Sequence, residues 1–195
     1  MVKPEAIADT LIIGSLLQTK ISDFSIAEIQ FFSYFSCLLA LYDGKTVDDW
    51  KYQFIKSSVG SPFSNDLRMS FDLLNANNSL KQSDEGYFKI TANGQARINF
   101  YRTQKIINWR IKYLETACKS LSLIPYGHVK EAISNEPVIF SANNSSVSKN
   151  LLETTNPATK TLHAQFASLK EALNEEYKSL IGPAVVWLEA LNIKS

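Results

Sequence analysis

The stretch Asn78-Ser79-Leu80-Lys81-Gln82-Ser83-Asp84-Glu85-Gly86-Tyr87-Phe88-Lys89-Ile90-Thr91-Ala92-Asn93-Gly94 decides how this chain is read. Leu80 heads a short strand, Asp84-Glu85-Gly86 makes a tight turn, and Tyr87, Phe88 and Ile90 lie on the returning strand. Gly86 supplies the positive φ that so short a turn demands, since a residue without Cβ enters that region at no steric cost. Thr91 ends the strand and offers its hydroxyl to the free N–H groups of the next helix. A two-stranded ribbon leading directly into a capped helix is the result.

Before the ribbon the periodicity is helical. Pro4 to Gln18 sets Ile7, Leu11, Gly14 and Leu17 on one side. Ser25-Ile26-Ala27-Glu28 has the form of a capping box. The helix it opens is apolar on nearly every side, from Ile26 through Phe31, Phe32, Phe35 and Leu38 to Leu41, as a central core helix must be. Asp43-Gly44 ends it. Thr46 caps a second helix carrying Val47, Trp50 and Phe54, and Ser64 caps a third with Leu67, Phe71 and Leu74.

After the ribbon a long helix is predicted from Asn93 to about Leu121. Phe100, Ile107, Ile111, Leu114, Cys118 and Leu121 form one row and Ile106, Trp109, Tyr113 and Ala117 a second. Together they make a face too wide for one neighbour. Pro125 starts a further helix through Ala132, stopped before Pro137. Residues 141–160, rich in Ser, Asn and Thr, read as a mobile connection with a helical turn at Leu151-Leu152. Leu162, Phe166, Leu169, Leu173, Tyr177 and Leu180 then form a narrow stripe, ended by Gly182-Pro183 before a short final helix. The fold class expected is mainly α with a small two-stranded β-wing (an α+β winged helix) plus a C-terminal helical extension. The division expected is 1–121 and 122–195.

Helix, helix, helix and wing in this order resemble the winged-helix superfamily. The residues that carry the resemblance are Phe71-Asp72-Leu73-Leu74, Ser79-Leu80 and Tyr87-Phe88-Lys89-Ile90-Thr91-Ala92-Asn93-Gly94. They are similar to the leucine-bearing third helix, the small-residue step into a hydrophobic strand and the aromatic-x-Ile/Leu-Thr-x-x-Gly exit of PadR-like and MarR-like regulators. The likeness covers about residues 25–97. It implies a binding protein and leaves the ligand open, because winged helices bind DNA, RNA or proteins.

The formal charge of +1 gives no global field toward nucleic acid or anionic lipid. Local charge is uneven: residues 61–130 hold ten Lys and Arg against five Asp and Glu. Cys37 and Cys118 fall in apolar helical patterns and read as buried free thiols. No signal peptide and no membrane-spanning run is visible, so a cytoplasmic protein is expected. Gly44-Lys45-Thr46 imitates the tail of a phosphate-binding loop. Leu39, within a helix, stands where that loop needs a Gly. His128 with Glu131, and His163 alone, are too sparse for a metal site. The paired acids Asp48-Asp49 and Glu175-Glu176 diverge on helices. No catalytic residue, metal ligand or cofactor is assigned, and no enzyme is expected.

Nucleic-acid contact is expected at Asn65 and Arg68 on the third helix, Lys81 and Lys89 on the wing, and Arg97 and Arg102 after it. A partner or dimer helix is expected from Ile107, Trp109, Ile111 and Tyr113, and from Leu162, Phe166, Leu169 and Leu173. Two functions follow. One is a non-catalytic accessory or adaptor subunit of a larger DNA-acting assembly of the SMC- or ABC-type ATPase kind, binding protein partners. The other is a homodimeric PadR-like or MarR-like transcription regulator on double-stranded DNA.

Overall fold

The computed structural model describes residues 2–145, 150–173 and 179–193. Helix α1 (Pro4–Ile21) is followed by α2 (Ile26–Tyr42), the single turn α3 (Val47–Trp50), strands β1 (Ile55–Lys56) and β2 (Pro62–Phe63), and α4 (Asn65–Ala76). Strands β3 (Leu80–Asp84) and β4 (Tyr87–Ile90) lead into α5 (Ala92–Thr103) and α6 (Lys105–Lys119). Then come α7 (Tyr126–Ser134), α8 (Pro137–Asn143), α9 (Pro157–Leu173) and α10 (Ile181–Asn192). The protein is mainly α, with two small antiparallel sheets, β1-β2 and β3-β4.

Helix α2 is the axis of the core, buried at every position from Ile29 to Tyr42. Glu28 accepts hydrogen bonds from the N–H and hydroxyl of Ser25, so the expected box forms at its start. Packed on it are α1, α4, α6 and α9. The apolar cluster around α2 runs from Ala6 to Leu191.

An ion pair crosses this core. Asp9 of α1 and Arg110 of α6 are both fully buried; Arg110 Nε donates to Asp9 Oδ1 at 3.0 Å, and Nη2 meets Oδ2. Nη1 donates to the Trp50 carbonyl at 3.0 Å, and the guanidinium lies 3.7 Å from the centre of the Trp50 ring. Tyr52 donates to Asp9, and Ser33 of α2 meets Tyr52. Burial alone would lower the Arg110 pKa, but the Asp9 carboxylate outweighs it and raises it. The guanidinium is therefore a fixed charge.

Several expectations are corrected. The helix expected from Thr46 through Phe54 stops at Trp50, where Lys51 turns into the left-handed region at φ +73°. Beyond it Trp50, Tyr52 and Phe54 alternate with exposed Lys51 and Gln53, all three aromatics pointing into the core. That is a period of two, and it leads into β1 at Ile55. The long helix from Asn93 breaks at Gln104, whose ψ of 125° is extended. Ser64 does not cap α4 with its hydroxyl. Instead buried Gln30 accepts from the Ser64 N–H and donates to its carbonyl. A further helix begins at Pro137, and Gly182-Pro183 lies in the first turn of α10, where a missing N–H costs nothing. Within the expected connection, Leu151 and Leu152 are buried, Leu151 donates to Phe54, and residues 157–160 already belong to α9. Tyr177 lies outside the described residues.

A second buried acid joins α2 to the α7–α8 junction. Glu136, fully buried, accepts from Tyr34 at 2.8 Å and from the N–H groups of Val138 and Ile139. Desolvation outweighs these three donors and pushes its pKa up to about 7.

Two predictions follow from these buried charges. Asp9→Ala strands the Arg110 guanidinium in the core and costs roughly 3–5 kcal/mol, whereas Asp9→Ala with Arg110→Met recovers most of that loss. Urea unfolding of the two variants measures the difference. Because the folded pKa of Glu136 exceeds the ordinary 4.5, the folded state holds its proton more tightly than the unfolded chain does. Its contribution to stability therefore falls as pH rises from about 4.5 to about 7, by roughly 3 kcal/mol across the window. The slope is read by subtracting the pH profile of Glu136→Gln from that of the unmodified protein.

Candidate binding interface

The hairpin is anchored on the end of α1. Leu80 pairs with Ile90, Lys81 with Lys89 and Gln82 with Phe88, and the register shifts before Asp84 meets Tyr87. Gly86 turns at φ +75°, as the turn requires. Phe24, between α1 and α2, exchanges both backbone hydrogen bonds with Phe88, at 3.1 and 2.8 Å. Gln18 accepts from the Ile90 N–H at 2.8 Å. The Phe88 ring stands edge-on to Phe71 of α4, with centroids 4.8 Å apart. Asp23 accepts from Ser83 and pairs with Lys89 at 3.2 Å, and these contacts hold its pKa below the usual carboxylate range.

The Thr-x-x-Gly exit has a mechanical reason. The Thr91 hydroxyl accepts from the Gly94 N–H at 3.1 Å, and the Thr91 N–H donates to the Ser79 carbonyl. A Cβ on Gly94 would stand 2.3 Å from that carbonyl oxygen and 2.9 Å from Ile90 Cγ2. The first turn of α5 therefore sits directly on the backbone that enters the hairpin.

The six expected nucleic-acid contacts divide by what they already hold. Arg68 pairs with Asp72 along α4 at 3.0 Å, Lys89 with Asp23, and Arg102 with Glu115 at 3.1 Å. Lys81 is exposed and Arg97 half-buried, and neither has an ion pair among the described residues. Asn65, exposed at the start of α4, donates to the Met69 sulfur. The outer face of α4 shows Met69 and Leu73, 39% and 40% exposed, next to the Arg68–Asp72 pair. Leu67, Phe71 and Leu74, the row of the sequence pattern, face the core. The spacing of four between Met69 and Leu73 was the available sign of an apolar outer row.

The helix faces expected to meet a partner are largely used within the chain. Ile107, Tyr113, Leu162 and Phe166 are buried in its own core. Trp109 lies edge-on to Trp50 and Tyr113, and Ile111 is half-buried. Leu169 lines an open groove of about 540 Å³ between α9 and α10, with Trp187 and Leu191 opposite, and Leu173 is half-buried. Two members of the same rows stay outside, Phe100 and Ile106, on either side of the break at Gln104.

Among the described residues no cluster of three or more His, Cys, Asp or Glu could hold a metal ion. No described helix is long and apolar enough to cross a membrane. Cys37 and Cys118 are free and buried, and desolvation raises both thiol pKa values, which keeps them protonated and unreactive.

Gly94→Ala is expected to cost about 2 kcal/mol, since the new methyl meets backbone rather than a side chain that can rotate away. Chemical denaturation checks this, with Ala92→Gly as the reference for propensity alone. No family model matches the chain, and no curated protein or solved structure does either.

Proposed function

We propose that this chain is a non-catalytic accessory subunit of the winged-helix kind. On this reading it belongs to a larger DNA-acting assembly, of the type built on SMC- or ABC-type ATPases, and binds a protein partner. The observation that carries the reading is the state of α4, the helix that enters the groove in DNA-reading winged helices. Its one arginine is neutralised by Asp72 in the next turn, and beside that pair the helix offers Met69 and Leu73 to solvent. A carboxylate beside the arginine repels phosphates, and apolar side chains gain nothing from them. A protein surface gains from both. The firm seating of the hairpin on Phe24, Gln18 and Phe71 supports a rigid platform for such a contact.

A second reading, a homodimeric DNA-binding regulator, is favoured by one observation. Lys81 stands directly across the hairpin from Lys89, placing two cations on one face of the wing. One experiment separates the readings. Duplex DNA is titrated against the purified chain at two salt concentrations, and a tagged chain is recovered from its native cells. The accessory reading expects DNA affinity no better than non-specific binding, ~10⁻⁴–10⁻⁶ M. It also expects a co-purifying protein that is lost from the Met69→Asp, Leu73→Asp variant. Tight, salt-steep DNA binding abolished by Lys81→Glu with Lys89→Glu would overturn it in favour of the regulator.

A further inference from the structure

The break at Gln104 leaves an exposed elbow between α5 and α6. Phe100, four residues before it, is 60% exposed, and Ile106, two residues after it, is 57% exposed. The Phe100 ring rests against half-buried Tyr101, with centroids 5.7 Å apart. The elbow is compact: the Gln104 N–H donates to the Tyr101 carbonyl, and Asn108 reaches back to the Arg102 carbonyl. Two large apolar side chains are thus presented on a fixed corner, where each would be more stable covered.

The chain that forms the corner is rich in cations and poor in carboxylates. Between Gly86 and Lys130 the sequence contains one carboxylate, Glu115. That carboxylate already serves Arg102 at 3.1 Å and Lys119 at 3.8 Å. Arg97, one turn before Phe100 on the same helix face, and exposed Lys105, adjoining Ile106, have no ion pair among the described residues. Each exposed apolar residue therefore has near it in the chain a cation with no ion pair among the described residues, Arg97 for Phe100 and Lys105 for Ile106.

We infer that the α5–α6 elbow docks an acidic amphipathic segment of a partner protein, whose apolar side chains cover Phe100 and Ile106 while its carboxylates meet Arg97 and Lys105. This rests on the partner-binding reading above and gives that partner a chemistry. Opposite charge steers and orients the segment, and the covered apolar pair supplies the affinity. A nucleic-acid strand suits the corner less well. Strand-binding grooves carry a track of cations and stacking rings, and Ile106 has no π-face.

The test uses a fluorescein-labelled helical peptide with Leu at i, i+4 and i+7 and Glu between them. The same peptide with Gln for Glu, a labelled oligothymidine and vesicles containing phosphatidylserine are the comparisons. The full chain should bind the Glu peptide, with affinity falling as salt rises, and should bind the Gln peptide at least about tenfold more weakly. Arg97→Glu with Lys105→Glu, and separately Phe100→Ser with Ile106→Ser, should each weaken binding about tenfold. Circular dichroism and the unfolding midpoint confirm that these surface variants stay folded. No binding of the Glu peptide, equal binding of both peptides, insensitivity to either variant, or preference for oligothymidine or vesicles would overturn the inference. Any of those results would leave partner capture through Met69 and Leu73 standing.

Discussion

The fold turns on a charge that has nowhere else to go. Arg110 is fully buried and its guanidinium cannot be neutralised by losing a proton, so the chain must surround it with acceptors or unfold. Asp9 is reached from 101 positions away, the Trp50 carbonyl from 60, and the Trp50 ring covers the remaining face. This requirement fixes α1 against α6 and pins the segment after α3 between them. Continuum reasoning makes a buried pair weak as a source of stability but strict as a condition on geometry. Here it selects which helix faces meet among several that are nearly uniformly apolar. Helix α2, greasy on all sides, cannot specify its own rotation, and polar contacts at Ser33, Tyr34 and Gln30 do so for it.

What could be read in the sequence follows from the range of the interactions. The hairpin was legible because Gly86, Thr91 and Gly94 act within a few residues of one another. Each left a chemical reason at a fixed spacing. The box at Ser25 was legible for the same cause. The single-turn α3 was not, because Thr46 and Asp49 form a valid helix start and the spacing of four between Trp50 and Phe54 also fits a helix face. The stop is written in Trp50, Tyr52 and Phe54, whose period of two answers to the core and not to the local chain. The break at Gln104 left still less trace, since Thr103-Gln104 is not a helix-ending pair in itself.

How the candidate site residues are engaged depends in part on partners distant in the sequence. Asn65 and Arg68 lie on α4, Lys81 and Lys89 on the hairpin, and Arg97 and Arg102 on α5. Composition cannot show that Asp72, Asp23 and Glu115 already hold Arg68, Lys89 and Arg102. Of these pairs only Arg68–Asp72 has a spacing of four, which sequence can register. Within the apolar rows Ile107, Tyr113, Leu162 and Phe166 are buried in the chain's own core, while Phe100 and Ile106 of the same rows stay exposed; spacing alone does not tell the two groups apart.

The core and the exposed surface are connected by the same break. A straight helix from 93 to 121 would run ~43 Å, long enough to carry its second half past a domain of this size. Turning at Gln104 folds α6 back onto α1 and α2, which brings Arg110 to Asp9 and buries Ile107, Tyr113 and Leu114. A bend has an outside as well as an inside. Residues within a turn of it cannot all follow α6 inward, and Phe100 and Ile106 are the large apolar ones there that face water. The exposed pair is thus tied to the arrangement that satisfies the buried guanidinium. Straightening the elbow would withdraw Arg110 from Asp9 and the Trp50 carbonyl, so the corner is a fixed part of the fold.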